Sequence, residues 1–140
     1  MSKKILLYIL FGILFSVNVA YGEECLRYEP EKVRFKGTIV RKTFPGPPEY
    51  ESVEQGDKPE TVWILNLLKP VCVLADEDDD LNETEKDVRA IHLVLDDKQY
   101  KKYRHLVSKK VVAIGTLYSS YTGHHRTSVL MRVISIDKIR

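Results

Sequence analysis

The side chains through which this chain could do chemistry fall in two segments far apart in sequence. The first, Thr43 to Glu60, carries Phe44, Tyr50, Glu49, Glu51 and Asp57. Pro45, Pro47, Pro48 and Pro59 remove backbone donors and stiffen it, while Gly46 and Gly56 permit turns. Rings held on a stiff loop beside carboxylates would make a stacking platform with hydrogen-bond acceptors. The plainer alternative is an aromatic-anchored lid over one end of the fold. The second segment carries Tyr121, His124, His125 and Arg126.

An adjacent histidine pair invites a zinc reading. In extended chain, however, neighbouring side chains point to opposite faces, so only one of the two is expected to share a site with the first loop. Catalytic zinc wants three protein ligands, and one His with Glu51 or Asp57 does not supply them. The expectation is no cofactor, with a divalent metal at His124 or His125 as the alternative. Without a metal, the pair reads as a turn whose imidazole nitrogens bond loop carbonyls, with Gly123 supplying an unusual backbone angle. His92 and His105 read as strand and helix surface residues. No nucleophile elbow and no phosphate loop is present. Glu49 with Glu51 and Asp96 with Asp97 are paired carboxylates, but nothing sets them around a pocket as acid and base. No catalytic residue is assigned.

The elements that must position these loops are mostly strands. Val33, Phe35 and Ile39 alternate with Arg34, Lys36 and Thr38, and Gly37 interrupts the inner face where a strand must bend or admit another backbone. Thr61 to Leu68 is apolar on both faces, as in a strand covered on both sides. Pro70 is expected to break it before Val71 to Leu74 continues in extended form. Val88 to Leu95, Lys110 to Tyr118 (with Gly115 in its middle) and Ser128 to Ile136 complete five strands. Asp96 and Asp97 can cap a short helix to about Leu106, with Tyr100, Tyr103, Leu106 and Val107 on its packing face. Three strands, one helix and two strands is the order of the OB-fold. The expected fold is therefore mainly β, a five-stranded OB-like Greek-key barrel with one short helix between its third and fourth strands. A β-sandwich is the rival and would want about seven strands. In an OB-fold, the loops after strands one and four flank the ligand-binding face, and these are the two segments above.

The N-terminus reads as an export signal over residues 1–22: Lys3 and Lys4, then the apolar run Ile5 to Val19, then small residues at Ala20 and Gly22. The run is shorter than the ~20 residues that span a bilayer. A retained anchor is the alternative, and lipid attachment at Cys25 is disfavoured by the preceding Glu23-Glu24. Residues 23–140 would then form a single domain, periplasmic or secreted, with 20 basic and 20 acidic residues. Formal neutrality and export both argue against nucleic acid. Charge is still segregated, because Asp76 to Asp87 holds eight acids against Lys86. Such a run reads as a mobile, solvated loop, and it lacks the glycine and ligand spacing of a calcium-binding EF-hand. Two cysteines in an exported chain predict a Cys25–Cys72 disulfide.

Cys25-Leu26-x-Tyr28-Glu29-Pro30, Phe44-Pro45-Gly46-Pro47-Pro48-x-Tyr50-Glu51-Ser52, Trp63-Ile64-Leu65-x-Leu67, Pro70-x-Cys72-Val73 and Thr122-Gly123-His124-His125-x-Thr127 resemble a family of small exported bacterial proteins, domain of unknown function 4431. The resemblance implies that the two cysteines and the two loops belong together, and it carries no activity. Where that last motif would be expected to hold a third His, this chain has Arg126, which weakens a His-cluster metal site. The expected function is a non-catalytic exported binding domain using loops 43–60 and 119–127. Its contacts would be Phe44, Tyr50, Glu51, Tyr121, His124, His125 and Arg126, and its partner a protein or a small envelope ligand. An inhibitor or immunity-type protein of a cell-wall enzyme and a metal-assisted hydrolase are the alternatives.

Overall fold

A computed structural model describes residues 25–140. The export segment expected at residues 1–22 lies outside the described residues. The alternation from Val33 onward builds a long strand β2 (Lys32–Pro45), whose Val33, Phe35, Gly37 and Ile39 are buried while Arg34 and Lys36 stay exposed. It turns back into β3 (Pro59–Leu74), in antiparallel register from Gly37 opposite Leu67 to Pro45 opposite Pro59. After β4 (Glu85–Val94) come the helix α1 (Asp97–Tyr103), a 3-10 turn over Arg104–Leu106, and strands β5 (Lys110–Ser119) and β6 (Val129–Lys138). A two-residue strand β1 (Leu26–Arg27) precedes them all.

These strands form one six-stranded mixed sheet in the order β1-β3-β2-β5-β6-β4, and β3 also pairs with β4. The sixth strand, β1, was not expected. It lies parallel to β3 beside Cys25, held there by the Cys25–Cys72 disulfide. Pro70 does not break β3, contrary to expectation. Its missing N–H is not needed, because pairing with β2 has ended at Leu67 and the ladder with β4 is irregular between Asn66 and Val71.

The core is one cluster of buried side chains, of which Ile39, Leu65, Ile91, Leu93, Leu117, Val129 and Met131 are fully buried. Gly37 and Gly115 allow close approach of the neighbouring strands, since a Cβ at either would overlap the carbonyl oxygen of Asn66 or Arg132. Asp96 caps α1 through a capping box with Gln99, and the Gln99 amide donates to the Val133 carbonyl at 2.8 Å, tying the helix to β6. Tyr100 meets Trp63 edge-on at 5.0 Å, and Tyr103 and Leu106 are buried, so the tyrosines pack as expected.

The acidic segment is largely exposed, as expected of a solvated loop, and it makes specific hydrogen bonds. Asp79 accepts from the backbone N–H groups of Leu81 and Asn82, the Asn82 side chain accepts from the Ser119 N–H, and Ser119 Oγ accepts from the Glu83 N–H. Its second half is thereby fastened to the end of β5. Among the described residues no helix is long and apolar enough to cross a membrane. The disulfide closes a sequence separation of 47 residues. Replacing both cysteines by alanine should therefore lower the unfolding free energy by about 2–4 kcal/mol in urea titrations, chiefly by freeing the unfolded chain.

Candidate binding site at the paired loops

The first loop is shorter and more ordered than its composition suggests, because the β2–β3 ladder continues to Pro45 and Pro59 and leaves only residues 46–58 to turn. Asp57 organises that turn. Its carboxylate is buried and accepts from the N–H groups of Glu49 (2.8 Å), Glu51 (2.7 Å) and Ser52 (2.8 Å). These backbone bonds, led by Glu49 and Ser52, hold the Asp57 carboxyl below its ordinary value. Asp57 was expected to face a ligand; it is instead consumed by its own loop. One product is Tyr50 at φ 60°, a left-handed conformation uncommon for a large side chain. That backbone aims the phenol at the second loop.

There Tyr50 and His124 meet, the phenol oxygen 3.2 Å from Nε2 and the rings edge-on at 5.6 Å. Nδ1 of His124 donates to Glu60 Oε1 at 2.7 Å, which in the neutral ring leaves Nε2 to accept from the Tyr50 hydroxyl. The other Glu60 oxygen accepts from Arg126 Nη2 at 2.6 Å. The Arg126 guanidinium lies over the rings of Phe44 (5.1 Å) and Tyr50 (5.7 Å), and its side chain is only 9 % exposed. Its Nε is buried without a partner. Burial raises the Glu60 carboxyl, but bonds from Arg126 and His124 outweigh it and the net shift is downward. Gly123 does not adopt the left-handed backbone expected of it. Its role is space, since a Cβ would meet the Tyr50 ring at 3.0 Å.

His125 turns away from the first loop, as alternation predicted. Its Nδ1 accepts from the Tyr121 N–H at 3.0 Å, and its ring meets Tyr121 at 4.6 Å, Tyr118 at 5.6 Å and His92 at 6.5 Å. Neither imidazole bonds a loop carbonyl in the way the turn reading expected. Of the expected contact residues, Phe44, Tyr50, His124 and Arg126 come together. Tyr121 stands apart with Tyr118 and is largely exposed, and Glu51 contributes its backbone to Asp57. Among the described residues, no group of three or more His, Cys, Asp or Glu is placed to hold a metal ion.

Beside this clasp of Glu60 on His124 and Arg126 lies an open trough of about 400 Å³, walled by Glu60, Thr61, His92, Tyr118, His124 and His125. Residues 90–137, from β4 to near the end of β6, match the model of the family described as domain of unknown function (DUF4431). Over this segment the chain is similar to that family. The match takes in His92 and the whole second loop, while the first-loop motif lies before it. No curated protein and no solved structure matches the chain.

Within this family segment His92 was expected on the surface and is buried. Its N–H donates to Thr127 Oγ1 at 2.9 Å and its Nδ1 accepts from the Arg126 N–H at 3.3 Å, so the second loop lies over the outward face of β4. Burial, with the charges of His125 and Arg126, lowers His92 from 6.5 to about 4. Burial also lowers His125, with His124 and Arg132 adding to it. Glu60, His92 and Tyr118 are the site residues that sequence reasoning missed. Glu60 sat unremarked at the edge of the loop, and only the hairpin register, which sets it opposite Phe44, marks it out.

Glu60→Gln removes the charge that balances buried Arg126 and should cost about 2–3 kcal/mol of stability in urea titrations. His124→Ala should cost less, because His124 is 57 % exposed. The His92 value lies below its unfolded one, so the unfolded chain binds more protons between 6.5 and 4 and stability falls as pH drops through that window. Relative to wild type, His92→Gln should flatten the dependence of melting temperature on pH between those values. The carboxylates Asp57 and Glu60, being lowered, weaken the fold only at more acid pH.

Proposed function

We infer that this chain is a non-catalytic binding domain, an OB-like five-stranded barrel with β1 appended, exported and working in the periplasm or outside the cell. Its ligand lies in the trough between the second loop and strands β3 and β4. What supports the barrel reading is the circuit of pairings β3-β2-β5-β6-β4 and back to β3, with α1 between the third and fourth of the long strands. A disulfide within the chain fits an oxidising compartment.

The observation that carries the binding reading is the Glu60 clasp, in which one carboxylate joins a residue pair of the second loop to the hairpin and fixes one wall of the trough. A pre-built wall lowers the ordering cost of binding. The clasp uses the faces of Phe44 and Tyr50 internally, so the contact surface is the trough rather than a bare stacking platform. Apart from the Glu60 carboxylate, whose charge Arg126 balances, and His124, its lining is Tyr118, two histidines whose charged forms burial disfavours, and Thr61, Val62 and Val94 from the strands. Neutral donors and acceptors beside aromatic and aliphatic walls suit a ligand with little net charge and both polar and apolar faces.

Thr61 is exposed and lines the trough, so Thr61→Trp should fill it without disturbing the core. Immobilised wild-type protein should retain a component of a periplasmic extract, identified by mass spectrometry, that the Thr61→Trp protein of unchanged melting temperature does not. Equal retention by both would place binding elsewhere and remove the trough from the reading. Retention of a single enzyme together with its inhibition would favour an inhibitor over a ligand carrier.

A further inference from the structure

On the far side of β2 from β5, the sheet opens. Lys32 to Lys36 pair with β5 alone, because the β2–β3 ladder ends at Gly37 opposite Leu67. Beyond that point β3 diverges through Leu68, Lys69 and Pro70, and Pro70 has no N–H to offer a ladder. The divergence leaves a cleft of about 420 Å³ between the strands, lined by Arg34, Phe35, Lys36, Leu67, Leu68 and Lys69, with Val71 at its end. Three features coincide there: an unpaired strand edge, apolar walls, and cations. Among the described residues none of Arg34, Lys36 and Lys69 takes part in an ion pair. Leu68 is 52 % exposed at the rim.

We propose that this open edge of β2 receives an extended segment of a partner protein in which acidic and apolar residues alternate. A strand added beside Lys32–Lys36 would satisfy the unused backbone groups. Arg34 and Lys36 lie two residues apart on the exposed face, about 7 Å along the strand, the same spacing as alternate side chains of an incoming strand. Acidic residues of the guest would then stand opposite them, and its intervening residues would turn toward Phe35, Leu67 and Val71. A second copy of this chain adding the same edge would set Arg34 and Lys36 against their own kind, and like charges facing across a ladder repel. The occupant is therefore a different, acidic segment. This site shares no residue with the trough beside the second loop.

The probe is a short capped peptide of alternating glutamate and valine, titrated into the 15N-labelled domain. Expected are shifts and slowed exchange at the amides of Lys32 to Lys36, and affinity at least about tenfold weaker for Arg34→Glu/Lys36→Glu. That double variant should prefer a lysine–valine peptide instead. Both residues are exposed, so the melting temperature should be unchanged, and Lys69→Glu alone should weaken binding in the same direction. An N-methylated glutamate–valine peptide that binds as tightly would overturn strand addition, since it keeps the charges and loses the ladder. Shifts confined to residues 46–58 and 120–128, or a response to anionic vesicles but not to the peptide, would also overturn the proposal.

Discussion

One carboxylate governs the loop end of this molecule. Glu60 accepts from Arg126 with one oxygen and from His124 with the other, and it sits at the start of β3 where the hairpin has just closed. Both donors come from the loop between β5 and β6, so the interaction joins elements separated by more than sixty residues of chain. An arginine this deeply buried is tolerable only with a counter-charge and well-oriented neighbours. Phe44 and Tyr50 supply the neighbours with their ring faces. If Glu60 were neutral, the guanidinium would be left without charge balance and the two loops without their shared acceptor.

The first loop is shaped to meet that requirement. Asp57 gathers three backbone N–H groups into one carboxylate, and the chain between them is wound tightly enough to carry Tyr50 into the left-handed region. Such a conformation persists only where its surroundings over-determine it. Gly123 completes the fit by leaving room for the phenol. The prolines thus limit the freedom of the loop, but an acid inside it decides its form.

Electrostatics then separates the surfaces. The second loop buries His92 against the sheet, where desolvation and then the charges of His125 and Arg126 favour its neutral form. The trough beside it is lined by the Glu60 carboxylate, whose charge Arg126 balances. Arg34, Lys36 and Lys69 line the cleft beside β2, and the acidic run lies between β3 and β4 with its second half tied to Ser119. Each region offers a different kind of contact.

Much of the secondary structure was legible in the residues alone. Alternation around Val33 to Ile39 and Val129 to Val133 marked strands and their inner faces, Asp96 marked the start of the helix, and Gly37 and Gly115 marked close backbone approach, because each signal is local and repeats with the period of its element. The pairing of Cys25 with Cys72 followed from there being only two cysteines. What only the tertiary structure decided are matters of register and cover. Nothing local distinguishes Glu60 from other loop acids until the hairpin sets it opposite Phe44. His92 on an alternating strand looks solvent-facing until a loop thirty residues later folds over it. Asp57 reads as a ligand-facing acid until three amides converge on it. Those roles arise from contacts between distant segments, and periodicity along one segment carries no information about what will lie across from it.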